Sequence, residues 1–340
     1  METRHRGSQT MVFPNHPIIA SSAAVVGKKE SQGPLASYFD YLSQDTKFGQ
    51  KSWEKAESKM QELALDKARD KLNLRNKDID ILFAGDLLNQ CIGSSFSLRG
   101  TGIPFAGLYG ACSTMAESLM LSAMAVDAGF FDTAAAITSS HFASAERQYR
   151  FPLVYGGQRT PTAQWTVTGS GCAIVRKSGD GPYINAATIG QIVDYGICDA
   201  NNMGAAMAPA AYHTILTHMQ DLGITPEFYD LIVTGDLGKI GKEIVVDFFQ
   251  KDGITLTNYN DCGCMIYDLI KQDVHAGGSG CGCSAVTLCG YILTLMRKKH
   301  LKNVLFCATG ALLSPVSSQQ GESVPGVCHA VSLGVEKWNF

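Results

Sequence analysis

The sequence predicts an α/β protein built from two similar halves. Continuous apolar segments such as residues 80–86 and 134–139 are typical of strands that are buried on both faces of a parallel sheet. These segments alternate with stretches of helical periodicity, which indicates α/β architecture, and their order in the first half returns in the second. A chain of 340 residues has the length of about two domains. We expect a tail over residues 1–10 and halves over residues 11–178 and 179–340.

The first half begins with an amphipathic helix over residues 51–72, in which apolar side chains such as Trp53, Met60 and Leu63 recur at three- or four-residue steps. The later segments of this half predict, in order, a strand over 80–86, a strand over 103–108, a helix over 113–128, a strand over 134–139 and a glycine-broken strand over 167–175. Strands that alternate with helices in this way form sheets covered by helices.

The second half repeats this order. Residues 230–238 match residues 80–88 at an offset of 150, and Cys283-Ser284 matches Cys112-Ser113 at an offset of 171. From there the helix and the following strand run in register without a gap. The closing strand has its counterpart over residues 327–335. The pattern indicates a duplication, and the alternative is that two ordinary α/β units look alike.

Composition excludes several classes of protein. Charged residues are 17% and hydrophobic residues 45%, which is the reverse of a disordered chain. The net charge of -3 lacks the basic surplus of a nucleic-acid binder. The polar N-terminus has no signal core, and the odd count of 11 cysteines favours a reducing compartment. The apolar part of the uncharged segment 276–296 is shorter than a membrane span of about 20 residues, so we expect a buried helix over residues 285–296 and no transmembrane segment.

Cys112 is the first candidate functional residue. It follows a predicted strand and a turn at Gly110, and it begins a helix. The free N–H groups and the positive end of the helix dipole favour a thiolate there, which predicts a lowered pKa. The alternative is a small buried hydrophobic side chain, which most free cysteines are.

Polar residues follow the predicted strands. Ser139, Ser140 and His141 end one strand, and sites of open α/β sheets lie at such ends. His141 could be the base of a thiol enzyme or a structural residue. Asp86 and Asp236 occupy equivalent strand ends in the two halves, where they either face a pocket or serve as caps and turn residues.

Two further patterns concern metals and anions. The pairs Cys262/Cys264 and Cys281/Cys283 have one residue between the cysteines, whereas zinc sites use two to four, so we expect no metal and no cofactor. The run of residues 277–282 is rich in glycine and precedes a helix, so its N–H groups can hold an anion. Arg147 and Arg150 can capture carboxylates, or they solvate a surface or pair with Glu146.

The duplication, with Cys112 in the first half and the glycine-rich turn in the second, resembles the thiolase fold, and within it the ketoacyl synthase III branch. A narrower resemblance is to the stage V sporulation AD family of endospore-forming bacteria. It rests on residues 84–90, 110–114, 138–141, 167–171, 206–211, 260–263, 276–281 and 308–315. The resemblance implies a five-layered αβαβα fold of two duplicated halves.

The family resemblance also implies a function. It implies a dipicolinic acid-binding protein of the machinery that moves dipicolinate into the spore during sporulation and releases it at germination. Such a protein is peripheral on the spore inner membrane and acts with small membrane proteins of the same operon. The thiolase fold usually forms homodimers, so the resemblance implies a homodimer. The alternative is a monomer within a membrane complex.

The chain departs from the enzymatic branch at two places. Those enzymes carry a catalytic His where this chain has Gly235 followed by Asp236, and an Asn where it has residues 277–281. Two oxyanion donors are therefore missing, and one donor alone is worth about 3 kcal/mol of transition-state stabilisation. We expect a binding pocket without condensation chemistry, with extra space in front of Cys112 because of the glycines.

The resulting hypothesis assigns ligand binding, with no catalytic residue, to one set of residues: Cys112, Ser139, Ser140, His141, Arg147, Arg150, Asp86, Gly235, Asp236, Gly278, Ser279 and Cys281. Ca²⁺ could accompany dipicolinate on Asp86, Asp236 or Asp261. Two alternatives remain: an acyltransferase that uses Cys112 as nucleophile and His141 as base, and a structural scaffold with a vestigial pocket.

Overall fold

The computed structural model describes residues 4–149 and 159–338. The strands are β1 (His5–Arg6), β2 (Thr10–Val12), β3 (Ile18–Val26), β4 (Tyr41–Leu42), β5 (Ile81–Gly85), β6 (Phe105–Leu108), β7 (Thr133–Ser140), β8 (Trp165–Thr166), β9 (Gly169–Arg176), β10 (Tyr183–Thr188), β11 (Leu231–Thr234), β12 (Tyr259–Asp261), β13 (Gly278–Ser279), β14 (Asn303–Ala311) and β15 (Gly326–Gly334).

The helices are α1 (Trp53–Asp70), α2 (Ile92–Leu98), α3 (Thr114–Asp127), α4 (Phe142–Tyr149), α5 (Met203–Leu222), α6 (Gly238–Lys251), α7 (Cys262–Met265), α8 (Cys281–Val286), α9 (Leu293–Arg297) and α10 (Pro315–Gln319). A π-helical turn, Thr287–Ile292, joins α8 to α9 without a break. Together these three pieces form the long buried helix that the sequence predicts over residues 285–296.

Two five-stranded sheets carry the same pairing pattern. The first has the order β3-β9-β7-β5-β6 and the second β10-β15-β14-β11-β12. In each sheet the first two pairings are antiparallel and the last two are parallel. A single residue pair, Ile18 with Tyr183, connects the sheets. The duplication that the sequence indicates is therefore a repeat of strand order and direction, and the boundary between residues 178 and 179 stays a prediction.

The elements stack in five layers. Helix α1 covers the outer face of the first sheet, and α5 and α6 cover the outer face of the second. Helix α3 and the continuous helix from α8 to α9 lie between the sheets and contact strands of both. The strands are buried on both faces, which is why β7 and β14 are almost wholly apolar or small in sequence. The predicted αβαβα fold is confirmed.

One prediction about the N-terminus is wrong. Residues 5–10 belong to the predicted tail, but β1 pairs with β2, and β2 extends the second sheet by pairing with β10. Asp221 also accepts hydrogen bonds from the backbone N–H groups of Ser8 and Gln9. The partners of β2 and of residues 8–9, which are β10 and Asp221, lie far away in the chain. No local sequence pattern therefore predicts these contacts. No helix among residues 4–149 and 159–338 is long and apolar enough to cross a membrane.

Candidate functional site

A cavity of about 260 Å³ lies at the carboxyl ends of the central strands. Open α/β sheets place their binding sites at this edge. The loops after β5, β6 and β14 form one side, and α4, the start of α5 and the short strands β8 and β13 form the other. Its lining comprises Leu87, Tyr109, Ala111, Cys112, Ala145, Glu146, Tyr149, Thr166, Met203, Ser279, Ala311, Leu312, Leu313 and Ser314.

Cys112 lies in a short 3₁₀ turn, Ala111–Ser113, that leads into α3. Ala111 has φ 52°, a left-handed conformation that is costly for a residue with a side chain and is concentrated at functional sites. The Cys112 thiol is 7% exposed and packs with Leu87, Ala145 and Cys281. The cavity is therefore bounded by a thiol that the backbone holds in a strained turn.

The surroundings of the Cys112 thiol disfavour the thiolate. Burial, followed by the charge of the neighbouring Asp236, raises the pKa of the thiol well above the ordinary 9.0. The Gly280 N–H opposes this rise only weakly. The predicted lowering of the pKa is wrong, because the turn removes the thiol from water and sets it beside a carboxyl group.

Asp236 connects the strand ends behind the cavity. Its carboxyl oxygens accept hydrogen bonds from the Gly280 N–H and the Thr309 hydroxyl, each at 2.8 Å, and from the Ser279 hydroxyl at 3.4 Å. Burial raises its pKa. Asp236 thus contacts the cavity only through Cys112 and Ser279, and it holds the loops after β11, β13 and β14 together.

The glycines near Cys112 allow close packing and open no space. A Cβ atom at Gly235 would lie 3.0 Å from Ala308 Cα, and one at Gly280 would lie 2.7 Å from Ser140 Oγ. Gly278 is equally crowded, since its Cβ would lie 2.9 Å from Ile266 Cγ2. The prediction that these glycines enlarge the cavity is therefore wrong. Gly235 and Gly278 are buried behind the cavity wall and do not line the cavity.

Ser139, Ser140 and Asp86 also lie behind the wall. The Ser139 hydroxyl donates to Glu57 Oε1 at 3.1 Å, and the Ser140 hydroxyl donates to the Val167 carbonyl at 2.7 Å. Asp86 accepts from the Leu88 N–H in the turn that follows β5 and from the Ser94 N–H in the first turn of α2, which is the cap and turn role among its two alternatives. Since their polar atoms are engaged internally, the prediction that these three residues contact the ligand is not supported by their positions.

Cys281 is a wall residue of a different kind. Its thiol donates to the Ser139 carbonyl at 2.9 Å, and its side chain packs against Cys112. Burial raises its pKa well above the ordinary value. It contributes apolar packing beneath Cys112 and supplies no donor to the cavity.

His141 does not approach Cys112. Its Nδ1 accepts a hydrogen bond from the Ala143 N–H at 3.1 Å, so Nε2 carries the proton and donates to the Thr46 carbonyl at 2.8 Å. Burial lowers its pKa, which keeps the ring neutral. His141 lines a separate cavity. The hypothesis that it is the base for Cys112 is wrong, because both ring nitrogens are engaged by the backbone.

Helix α4 presents different residues from those predicted. Arg147 points outward, where it pairs with Glu54 and lies 5.5 Å from the centroid of the Trp53 ring. Ala145, Glu146 and Tyr149 face the cavity instead. Arg150 falls outside the described residues. Arg147 therefore does not line this cavity, and its predicted role in ligand binding finds no support here.

Two cavity residues outside the predicted set, Ala145 and Tyr149, show a spacing that could have identified them. Ala145 and Tyr149 are four apart and so share a face of α4, and this apolar face is the one that reaches the cavity. Tyr149 donates to the Leu87 carbonyl and hydrogen-bonds the Tyr109 hydroxyl. The loop Leu312–Ser314 has no sequence pattern that predicts a binding role. Only its position directly after β14 predicts that it lies at the carboxyl edge of the sheet.

The chemistry of the cavity follows from this lining. Apolar side chains dominate it, and the Ser314 hydroxyl provides a donor. The Thr166 hydroxyl donates to Glu146 at 3.2 Å, and the Ser279 hydroxyl donates to Asp236 at 3.4 Å. Within the described lining there is no Lys, Arg or His. The arrangement can enclose a small, partly apolar molecule, and it places no histidine beside the thiol.

The expected calcium ligands do not form a site. Asp261 accepts from the N–H groups of Leu237, Gly238 and Gly263, and burial raises its pKa to about 7. Asp86 and Asp236 are engaged in the same way, and none of the three lines the cavity. Elsewhere in the described ranges, no three His, Cys, Asp or Glu side chains are grouped to hold a metal ion. The prediction that Ca²⁺ binds Asp86, Asp236 or Asp261 therefore finds no support in their positions and stays a prediction.

Solved structures with a similar architecture include a 3-oxoacyl-[acyl-carrier-protein] synthase III and OleA. The 3-oxoacyl-[acyl-carrier-protein] synthase III of Aquifex aeolicus is similar at a TM-score of 0.57 and 12% identity, over 94% of this chain and 99% of that one. Cerulenin-bound OleA of Xanthomonas campestris is similar at a TM-score of 0.61 and 14% identity, over 95% and 98%. At these identities the likeness shows a thiolase-like fold alone.

Sequence comparison is more specific. The family model of stage V sporulation protein AD matches residues 7–334. The stage V sporulation protein AD of Bacillus subtilis strain 168 is 47% identical over 327 residues, which are 96% of each chain. The chain therefore belongs to the stage V sporulation protein AD family, a sporulation family with a thiolase-like fold.

Proposed function

We propose that this chain binds dipicolinic acid as part of the machinery that moves dipicolinate into the spore during sporulation and out of it at germination. The observation that carries the proposal is the cavity beside Cys112. The chain has a thiolase-like fold and an enclosed cavity, while burial raises the pKa of the Cys112 thiol and no histidine stands in the described lining. A site of this kind is suited to binding rather than to chemistry.

The lining fits a small ring with polar substituents. Leu87, Ala145 and Leu313 offer apolar walls for the ring, and the Ser314 hydroxyl offers a donor for a carboxylate oxygen. The volume of about 260 Å³ lies just below the range of about 300–1,000 Å³ for drug-sized ligands. The cavity therefore suits a molecule of one ring better than an acyl chain with its carrier.

Calorimetry tests the binding proposal. Dipicolinate is titrated into the wild type, alone and as its calcium chelate, and we expect one enclosed site for at least one of these forms. Ala145→Leu places a larger side chain in the cavity wall and should abolish binding there. Arg147→Ala changes the outer face of the same helix and is the matched control. A folded Ala145→Leu protein that binds dipicolinate as tightly as the wild type would overturn the assignment to this cavity.

The non-enzymatic part of the proposal has its own test. The chain is incubated with acetyl-coenzyme A, and the Cys112 peptide is examined by mass spectrometry. We expect no acyl adduct, because a thiol with a raised pKa is a poor nucleophile. An adduct on Cys112 that is lost in Cys112→Ala would favour the acyltransferase instead.

Location and assembly complete the proposal. We place the chain on the spore inner membrane as a peripheral protein that acts with small membrane proteins of its operon, and as a homodimer when isolated. Co-purification of the tagged chain with those membrane proteins from sporulating cells tests the first point. Light scattering of the purified chain tests the second, and a monomer at all concentrations would refute it.

A further inference from the structure

A second cavity of about 220 Å³ lies on the other side of α4 and β8. Its lining comprises Lys28, Lys29, Glu30, Thr46, Trp53, His141, Phe142, Ala143, Trp165 and Thr168, none of which lines the Cys112 cavity. Successive residues of a strand point to opposite faces, so Trp165 faces this cavity while Thr166 faces the other. The two cavities are therefore separate spaces that share one wall.

Aromatic rings and cations are concentrated here. The rings of Phe142 and Trp165 are stacked, with centroids 3.9 Å apart and planes 10° from parallel. Two cations lie at the same indole: Lys29 Nζ is 4.1 Å from the Trp165 centroid, and Arg159 Cζ is 4.8 Å from it. Two like charges held at one ring create a positive potential that favours an anion.

The nearby acidic groups offset this charge only in part. Asp273 forms an ion pair with Arg159 at 3.7 Å. Glu30 is 1% exposed, and burial raises its pKa, which favours its neutral form. Glu30 Oε1 accepts from the Tyr267 hydroxyl and the Thr168 N–H, while Oε2 is buried with no hydrogen-bond partner in the part of the chain that the structure describes.

A buried polar atom without a partner is rare in a folded protein and calls for an explanation. A ligand with a polar substituent would supply that partner. The positive ammonium groups of Lys28 and Lys29 would meet a carboxylate on the same molecule. At about 30 Å³ per water, the cavity has the volume of about seven water molecules, which limits the ligand to about one ring.

We propose that this cavity, which we call the Lys29 cavity, is a second binding site that takes a small planar aromatic carboxylate. The aromatic walls contact the ring, Lys28 and Lys29 bind the carboxylate, and Glu30 Oε2 hydrogen-bonds a polar atom of the ring or of a second substituent. The site is independent of the Cys112 cavity and does not require that cavity to bind dipicolinate.

Tryptophan fluorescence reports on this site. The chain has 3 Trp residues; Trp53 and Trp165 line the Lys29 cavity, whereas Trp338 packs against Phe228 and Tyr229 elsewhere. The probes are isophthalate and its saturated cyclohexane analogue, which carry the same charge but differ in aromaticity. We expect isophthalate to quench the emission in a saturable way and to bind at least about tenfold tighter than the analogue.

Variants separate this site from the first. Lys29→Met removes the charge and should weaken isophthalate binding about tenfold or more, as expected for a lost charged hydrogen bond, and Lys29→Arg should restore most of it. Lys251→Met is the matched control, because Lys251 also lies over a ring, that of Phe248 at 5.7 Å, but far from either cavity. Ala145→Leu should leave the quenching unchanged.

The outcomes are decisive in both directions. Loss of quenching in Lys29→Met with retention in Lys251→Met and Ala145→Leu supports the Lys29 cavity. Quenching that is unchanged in Lys29→Met, or equal affinity for isophthalate and its saturated analogue, overturns it. If Ala145→Leu leaves dipicolinate binding intact while Lys29→Met abolishes it, the proposed function of the Cys112 cavity fails and the second site stands.

Discussion

His218 makes the stability of the protein dependent on pH in a way that can be calculated. The side chain is wholly buried in α5, where Nδ1 lies 2.7 Å from the Thr188 hydroxyl and Nε2 lies 2.6 Å from the Tyr229 hydroxyl and 2.8 Å from the Ser332 hydroxyl. Burial lowers its pKa from 6.5 to about 3. The perturbation is His218→Gln, which keeps an amide for this network but cannot titrate.

The magnitude follows from the two pKa values. Below pH 6.5 the unfolded chain takes up a proton on His218, whereas the folded chain does not until the pH approaches about 3. Because the unfolded state then binds more protons, the free energy of unfolding falls as the pH falls through this window. One pH unit below 6.5 corresponds to about 1.4 kcal/mol of unfolding free energy. At about pH 4.5, two units below, His218 therefore lowers the free energy of unfolding by roughly 2.7 kcal/mol.

Urea unfolding measures this loss. The free energy of unfolding is determined for the wild type and for His218→Gln at about pH 8 and about pH 4.5, and the two pH differences are subtracted so that other titrating groups cancel. We expect the variant to lose roughly 2.7 kcal/mol less than the wild type. His213→Gln, on the exposed face of the same helix, is the control for the chemical change. The same pH dependence in the wild type and His218→Gln would refute the reasoning.

Two further predictions concern the site. In alkylation with iodoacetamide followed by peptide mass spectrometry, the exposed Cys198 should react at least about tenfold faster than Cys112, whose thiol is buried and has a raised pKa; comparable rates would contradict the account of Cys112. Gly280→Ala should lower the free energy of unfolding by about 1–3 kcal/mol, because Gly280 has φ 95° and its Cβ would lie 2.7 Å from Ser140 Oγ. Gly321→Ala, with φ 85° and open space around the added carbon, measures the backbone cost alone, and an equal effect in both variants would exclude a steric role for Gly280.

The fold was predictable because burial leaves a pattern in the sequence. The central strand β7 is buried along its whole length and β14 everywhere except Asn303, so nearly all of their residues are apolar or small in both halves. The same reasoning fails for β2, whose three residues pair with β10 and with β1. The partner strand β10 lies far away in the chain. A segment of three residues is also too short to show the two-residue alternation of a strand.

The site was predictable only in part. The position of Cys112 at a strand-to-helix turn identified one wall of the cavity. The inward face of α4 was predictable in part: Ala145 and Tyr149 share an apolar face, but Arg147 lies on another, and packing decides which face turns inward. The role of His141 depends on the Thr46 carbonyl, a loop atom whose position no sequence pattern reports.

The joint between the two sheets has a mechanical consequence. Among the described residues, few strand pairs cross between the halves: Ile18 with Tyr183, β2 with β10, and β8 with β13. The side chains of α3 and α8 in the central layer pack against strands of both sheets. The Cys112 cavity takes Cys112 from one half and Met203, Ser279 and Leu313 from the other, and the β8–β13 pair lies in its wall. A small shear of the packed central helices would therefore widen or narrow the cavity and strain the β8–β13 pair, while the pairings within each five-stranded sheet stay intact. A bound molecule that touches both walls would resist that shear. Ligand binding would therefore stabilise the association of the two halves, and the two free energies are thermodynamically linked.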